Sequence, residues 1–185
     1  MSKILVVYAT TDGHTAKVAR EIGVRLRDCG ADARVMIASR DLEGPEEYDG
    51  VIVAASVHAG RYQAKVRRWI ERQGSALGKL PSAFVSVCLM VRDPKAAPKL
   101  AALMSGFLDS CHWTPSTAKP VAGALRYTRY GWLKRWIMKR IAARTGGDTD
   151  TSRDHEYTDW DDLQRFTTGF CRAVEARRPA LQEVA

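Results

Sequence analysis

The segment KILVVYA, residues 3–9, is an unbroken apolar run without the polar alternation of a half-exposed strand. Such a run reads as a strand buried on both faces, which requires helices above and below it. The rest of the chain repeats that requirement. Residues 31–38 (ADARVMIA), 49–57 (DGVIVAASV) and 82–90 (SAFVSVCLM) read as further strands, and 118–124 (AKPVAGA) as a short fifth. Helical patterns lie between them. Ala19, Ile22, Leu26 and Cys29 share one face, as do Val66, Trp69, Ile70, Gln73 and Leu77. Leu100, Leu103, Met104, Phe107 and Leu108 form a continuous helical stripe, and Trp160, Leu163, Phe166, Phe170 and Val174 mark a last helix. The alternation predicts an α/β fold: a doubly wound five-stranded parallel sheet of order 2-1-3-4-5, with an insertion at about residues 125–158 between strand 5 and the last helix. A chain of 185 residues is expected to make one domain, residues 1–177, followed by a C-terminal tail at 178–185.

Ligands of such sheets sit beyond the carboxyl ends of the strands, at the switch point. The loop after the first strand, ATTDGHT at 9–15, carries three threonines and one glycine and runs into a helix N-terminus. Free N–H groups and a positive dipole end suit a phosphate there. The alternative is a plain helix cap. The loop is neither a Walker loop nor a GxGxxG turn. Asp12 would repel a phosphate, so it is expected to turn away and cap the helix. With Asp12 as its one acid, the loop also lacks the acidic cluster of a receiver domain.

Charge is concentrated. The net charge is +8, and residues 124–144 (ALRYTRYGWLKRWIMKRIAAR) hold seven Lys/Arg and no acid. A local patch implies a local acidic partner. Residues 148–162 are the reverse, with seven acids against Arg153. Either they solvate a loop or they seat the basic segment. The four cysteines are widely spaced without a CxxC, so reduced thiols and no metal site are expected. The N-terminus is too short and strand-like for a signal peptide, and no apolar run approaches the ~18 residues of a membrane span.

The phosphate-loop pattern Thr10-x-Asp12-Gly13-x-Thr15, together with SAFVSVCL (82–89), AGALRYTRY (122–130), GGDTDT (146–151) and YTDW (157–160), resembles the quinone-dependent protoporphyrinogen IX dehydrogenases of bacterial haem synthesis. The resemblance covers nearly the whole chain. It implies a flavodoxin-like fold with FMN, and oxidation of protoporphyrinogen IX to protoporphyrin IX. It implies electrons passed to menaquinone or ubiquinone, and a peripheral place on the cytoplasmic face of the bacterial inner membrane. By position, Thr10, Thr11, Asp12, Gly13, His14 and Thr15 would hold the FMN phosphate. Ser56, Val57, His58, Ala59 and Gly60 would flank one side of the isoalloxazine, and Ser86, Val87, Cys88, Leu89 and Met90 the other. Of the aromatic side chains near the first loop, only His58 and Tyr62 are available.

His58 is the candidate proton acceptor, against the alternative of an idle surface histidine. The substrate implied by the resemblance carries propionates, which suit the arginine fork. Arg126 and Arg129, flanked by Tyr127 and Tyr130, are the candidate substrate residues; a solvated basic loop is the other reading. Residues 132–144 read as a helix, with Trp132, Leu133, Trp136, Ile137 and Ile141 on one arc and Lys134, Arg135 and Lys139 on the other. Such a helix suits an anionic membrane surface, with contact through Trp132, Lys134, Arg135, Trp136 and Lys139. Packing of the apolar arc on the domain itself is the alternative. A flavodoxin-type FMN electron carrier is the second functional reading, although carriers of that sort lack a basic aromatic insertion. Nucleic acid is disfavoured, because five of the seven bases fall on a helix rich in Trp, Leu and Ile.

Overall fold

In a computed structural model, residues 1–144 and 147–182 are described. Gly146 of the GGDTDT segment, part of the expected C-terminal tail (183–185) and the Arg144 side chain lie outside the described residues. Five parallel strands form the main sheet: β1 (Lys3–Ala9), β2 (Asp32–Ile37), β3 (Gly50–Ser56), β4 (Ser82–Cys88) and β5 (Thr117–Ala122), in the order β2-β1-β3-β4-β5. The connecting helices are α1 (His14–Asp28), α2 (Ala64–Leu77) and α3 (Ala97–Ser110).

The period-two geometry of a strand sends alternate side chains to opposite faces, and β1 divides accordingly. Ile4 and Val6 join Val18, Ile22 and Leu26 of α1 in one buried cluster. Leu5 and Val7 join Val66, Trp69 and Ile70 of α2 and Leu100, Met104 and Phe107 of α3 in the other. The last helix, α5 (Trp160–Gln182), lays Leu163, Phe170 and Val174 onto the α1 side. Both faces of the sheet are thus covered, as an all-apolar central strand demands. The α5 backbone runs beyond residue 177 to Gln182, so the expected tail begins inside a helix.

Strand ends differ from the sequence reading at the site. β4 stops at Cys88, where Cys88 Sγ accepts the Met90 N–H and a 3-10 turn at Leu89–Arg92 follows. β5 stops at Ala122. Beyond Gly123 the chain leaves the sheet in a two-residue strand, β6 (Ala124–Leu125), paired antiparallel with β7 (His155–Glu156). That ribbon fastens the two ends of the insertion together. Between them lie a 3-10 turn at Tyr127–Arg129 and the helix α4 (Trp132–Arg144).

The acidic run seats the basic segment. Asp154 Oδ2 lies 2.7 Å from Arg126 Nε, and Asp154 Oδ1 accepts from the Thr128 N–H and hydroxyl at 2.9 and 2.8 Å. Burial alone would raise the Asp154 carboxyl; the Thr128 hydrogen bonds and the Arg126 charge outweigh it and hold the group below the usual carboxylate range. The Tyr127 hydroxyl donates to the Asp148 carbonyl at 2.8 Å. Tyr127, Leu125, Tyr130 and Ala142 form a small core of the insertion's own.

Candidate flavin site

The carboxyl ends of β1, β3, β4 and β5 meet at a cavity of about 490 Å³ roofed by α4, within the size range of small-molecule and cofactor sites. Its floor is the loop between β1 and α1. Gly13 takes the left-handed backbone (φ 90) that an L-residue rarely adopts, and its N–H donates to Thr10 Oγ1 at 2.9 Å. This turn opens α1 toward the cavity, where the first-turn N–H groups have no acceptor within the helix. Thr15 is 1% exposed, and its hydroxyl has no hydrogen-bond partner among the described residues. A buried, unspent hydroxyl at a helix N-terminus fits a phosphate, whose oxygens accept from both.

The walls are apolar. Val57, His58 and Ala59 line one side, Val87, Cys88 and Leu89 the other, with Thr10, Thr11, Asp12, His14 and Ser56 below. Gly60, Ser86 and Met90 stand outside the lining. Ser86 is fully buried and hydrogen-bonds the Tyr62 hydroxyl at 2.7 Å. The β3 loop is fixed by a two-residue turn: His58 and Arg61 exchange backbone hydrogen bonds at 2.8 and 3.1 Å, while Ala59 (φ 49) and Gly60 (φ 73) occupy the corner. Gln63, which the sequence did not single out, ties this loop to the floor by donating to Thr11 Oγ1 at 3.2 Å.

Tyr62 turns away from the site. Its ring packs at 4.5 Å from that of Phe107 and 5.3 Å from that of Phe84, and burial pushes its phenol up to about 12. The tyrosine that does line the cavity is Tyr130, from the insertion. Burial raises the Cys88 thiol, which is therefore a neutral wall residue.

The insertion residues separate by role. Tyr127 is 0% exposed, belongs to the insertion core and does not line the cavity. Arg126 is held by Asp154, whereas Arg129 Nη1 lies 2.9 Å from where a Cβ on Gly13 would stand. Lys134 points inward, with Nζ 2.6 Å from Asp12 Oδ1 and 4.3 Å from the Tyr130 ring centroid. Asp12 therefore does not cap α1 as expected; the N-cap is Gly13, without a side-chain bond. Arg135 donates to the carbonyls of Tyr127 and Tyr130 at 3.1 and 3.2 Å, which spends it on the insertion's own backbone.

The apolar arc of α4 also divides. Leu133, Ile137 and Ile141 line the cavity together with Met138 as an i, i+4, i+8 stripe, and are about half exposed at its open side. Trp132 (82% exposed) and Trp136 (54%) stay outside the lining, with exposed Lys139 and Arg140 beside them. Gly123 and Ala124 complete the wall. The strand order could have indicated those two, since β5 ends beside β4.

His14 joins the floor to the ribbon. The Thr158 hydroxyl donates to the Ala122 carbonyl at 2.7 Å, so it accepts from His14 Nε2–H at 2.7 Å. Nδ1 is left bare, 3.6 Å from Glu156 Oε2. Burial lowers the imidazole below its ordinary value of 6.5, against the opposing pull of Glu156.

A 2-1-3-4-5 sheet with a hydroxyl-rich helix-opening loop at its switch point defines the class of flavin-binding flavodoxin-type proteins, and the Flavodoxin domain family matches residues 5–152. The solved structure of an archaeal flavodoxin has the same fold, with a TM-score of 0.54 at 15% identity over 94% of this chain and 99% of that one. Quinone-dependent protoporphyrinogen IX dehydrogenase of Escherichia coli strain K12 is 36% identical over 167 residues, which is 89% of this chain and 92% of that one. The enzyme of the same name from Leishmania major is 32% identical over 174 residues, 91% of this chain and 74% of that one. The chain belongs to the quinone-dependent protoporphyrinogen IX dehydrogenase family.

Proposed function

We propose that the cavity holds FMN and that the protein oxidises protoporphyrinogen IX to protoporphyrin IX, with electrons passed to menaquinone or ubiquinone. The observation that carries this reading is the cavity under α4, with the unpartnered Thr15 hydroxyl at the α1 N-terminus in its floor and apolar walls on both sides. Family membership supplies the substrate class. When bound, FMN supplies two-electron redox chemistry.

The chain's own residues then have separable tasks. Thr15 and the α1 N-terminus bind the phosphate. Val57, Val87 and Leu89 enclose the ring system. Leu133, Ile137 and Ile141, half-exposed at the cavity, would cover the bound ring system and so exclude water from it, which strengthens polar interactions inside. His58, at the cavity wall, is the candidate to take a pyrrole proton. Arg126 remains a candidate for a substrate propionate beyond Tyr130.

No described helix is long and apolar enough to cross a membrane. The outward face of α4, with Trp132, Trp136 and Lys139, supports peripheral attachment to an anionic surface. The cytoplasmic face of a bacterial inner membrane would give access to the quinone.

The test is anaerobic reaction of the FMN-reconstituted protein with protoporphyrinogen IX and a quinone. Porphyrin fluorescence should rise only when protein, FMN and quinone are all present. A yellow protein that reduces small redox proteins but leaves the porphyrinogen untouched would replace this reading with that of an electron carrier.

A further inference from the structure

The floor loop carries one charge of its own, the Asp12 carboxylate. A phosphate monoester brings about −1.5 to −2 near neutral pH, so the loop alone is repulsive to it. The insertion supplies the correction. Lys134 Nζ, 2.6 Å from Asp12 Oδ1, cancels the carboxylate. Arg129 then adds a cation over the turn itself, with Nη1 2.9 Å and Cζ 3.7 Å from the Cβ position of Gly13. Among the described residues the Arg129 guanidinium has no hydrogen-bond or ion-pair partner, unlike that of Arg126, held by Asp154, and that of Arg135, held by two carbonyls. The buried, unpartnered Thr15 hydroxyl lies in the same floor.

We propose that the insertion is a charge-reversing clamp for the flavin phosphate: Lys134 neutralises Asp12, and Arg129 presents its guanidinium to the phosphate oxygens across Gly13. Local charge at the floor changes from one negative to one positive only when the insertion is seated. Arginine suits this place because its planar fork offers two parallel donors to a phosphate. Gly13 suits it for a matching reason, since a side chain there would meet the guanidinium. The same segment that roofs the ring system thereby selects FMN over riboflavin, which lacks the phosphate.

This inference rests on the reading of the cavity as an FMN site, and the test separates the two. Binding of FMN and of riboflavin to the full chain is titrated by flavin fluorescence for wild type, Arg129→Ala and Arg129→Lys. Melting curves check that the variants are folded. Arg129→Ala should weaken FMN about tenfold, the range for a charge-assisted bond at a partly exposed site, and leave riboflavin unchanged. Arg129→Lys should fall between them. Added salt should weaken FMN binding more steeply in wild type than in Arg129→Ala.

Equal loss of both flavins in Arg129→Ala would overturn the clamp, because it would indicate general packing. Unchanged FMN affinity with a raised KM for the porphyrinogen would overturn it in favour of a substrate role. Either result leaves the FMN reading intact. A wild type that binds neither flavin would remove both.

Discussion

Lys134, in the first turn of α4, reaches across 122 sequence positions to place its Nζ 2.6 Å from Asp12 Oδ1 in the loop after β1. The pair joins the insertion to the floor of the cavity. It also settles the fate of the carboxylate, which on sequence alone stood in the wrong place for a phosphate site.

The pair should show strong coupling in ligand binding and little in stability. Both side chains are about one-third exposed, so the bridge should contribute only about 0.5–1 kcal/mol to folding. Lys134→Met uncovers Asp12 and should weaken FMN about fivefold, from the Coulomb energy of one partly screened charge. The double variant Asp12→Asn/Lys134→Met should recover most of that loss. Fluorescence titration of wild type, Lys134→Met, Asp12→Asn and the double variant gives the coupling directly. Additive losses would mean that the two residues act on FMN separately.

Tyr127 should prove structural. Its buried hydroxyl donates to the Asp148 carbonyl, so Tyr127→Phe should cost about 1 kcal/mol in urea denaturation. Tyr127→Ala leaves a cavity in the small insertion core and should cost about 3–5 kcal/mol. The KM for the porphyrinogen should be unchanged in Tyr127→Phe, because the ring does not reach the cavity. A several-fold rise in KM would instead support the substrate role expected from the sequence.

His14 makes stability depend on pH. Burial, partly opposed by Glu156, sets its folded value below the ordinary 6.5. On acidification the unfolded chain therefore takes up the proton first. The contribution of neutral His14 is complete above pH 6.5 and is lost as pH falls from there through the folded value. Wild type should lose stability as pH falls from 6.5 through the folded value, in step with that uptake, and His14→Gln should be flatter over the same window. Urea midpoints of both proteins across the range measure the difference. Parallel curves would mean that another group governs this window.

The outward face of α4 should govern membrane attachment. Each cation near an anionic surface is worth about 1 kcal/mol, so Lys139→Glu should lower partitioning onto phosphatidylglycerol vesicles by at least about fivefold. Trp132→Ala/Trp136→Ala should lower it further and leave FMN affinity unaltered, since neither tryptophan lines the cavity. Co-sedimentation with anionic and neutral vesicles is the measurement. Binding that survives all three substitutions would move the membrane contact elsewhere.

The sheet was legible because its evidence is local. A run such as Ile4–Val7 has no polar side to show water, and Leu100, Met104 and Phe107 repeat at helical spacing, so the layers and their order follow from pattern and chain connectivity. The floor loop was legible for a related reason: Thr10 to Thr15 are contiguous, and a helix N-terminus carries its own donors. The insertion was not legible in the same way. Periodicity put Leu133, Ile137 and Ile141 on one arc with Trp132 and Trp136. It could not show that the arc straddles an edge, with the aliphatic residues over a cavity and the tryptophans outside.

The roles of the basic residues were beyond the sequence altogether. Lys134, Arg129, Arg126 and Arg135 are chemically near-equivalent along the chain, yet one meets Asp12, one overhangs Gly13, one meets Asp154 and one holds backbone carbonyls. A charge acts over a few ångströms with whatever folds next to it, and those partners come from the loop after β1, the residue before β7 and the turn at 127–130. The sequence by itself determined the layered sheet, the site at its carboxyl edge and the concentration of positive charge beside it. Only the tertiary structure decided which cation answers which anion, because ion pairing depends on distance in space and hydrophobic patterning depends on distance along the chain.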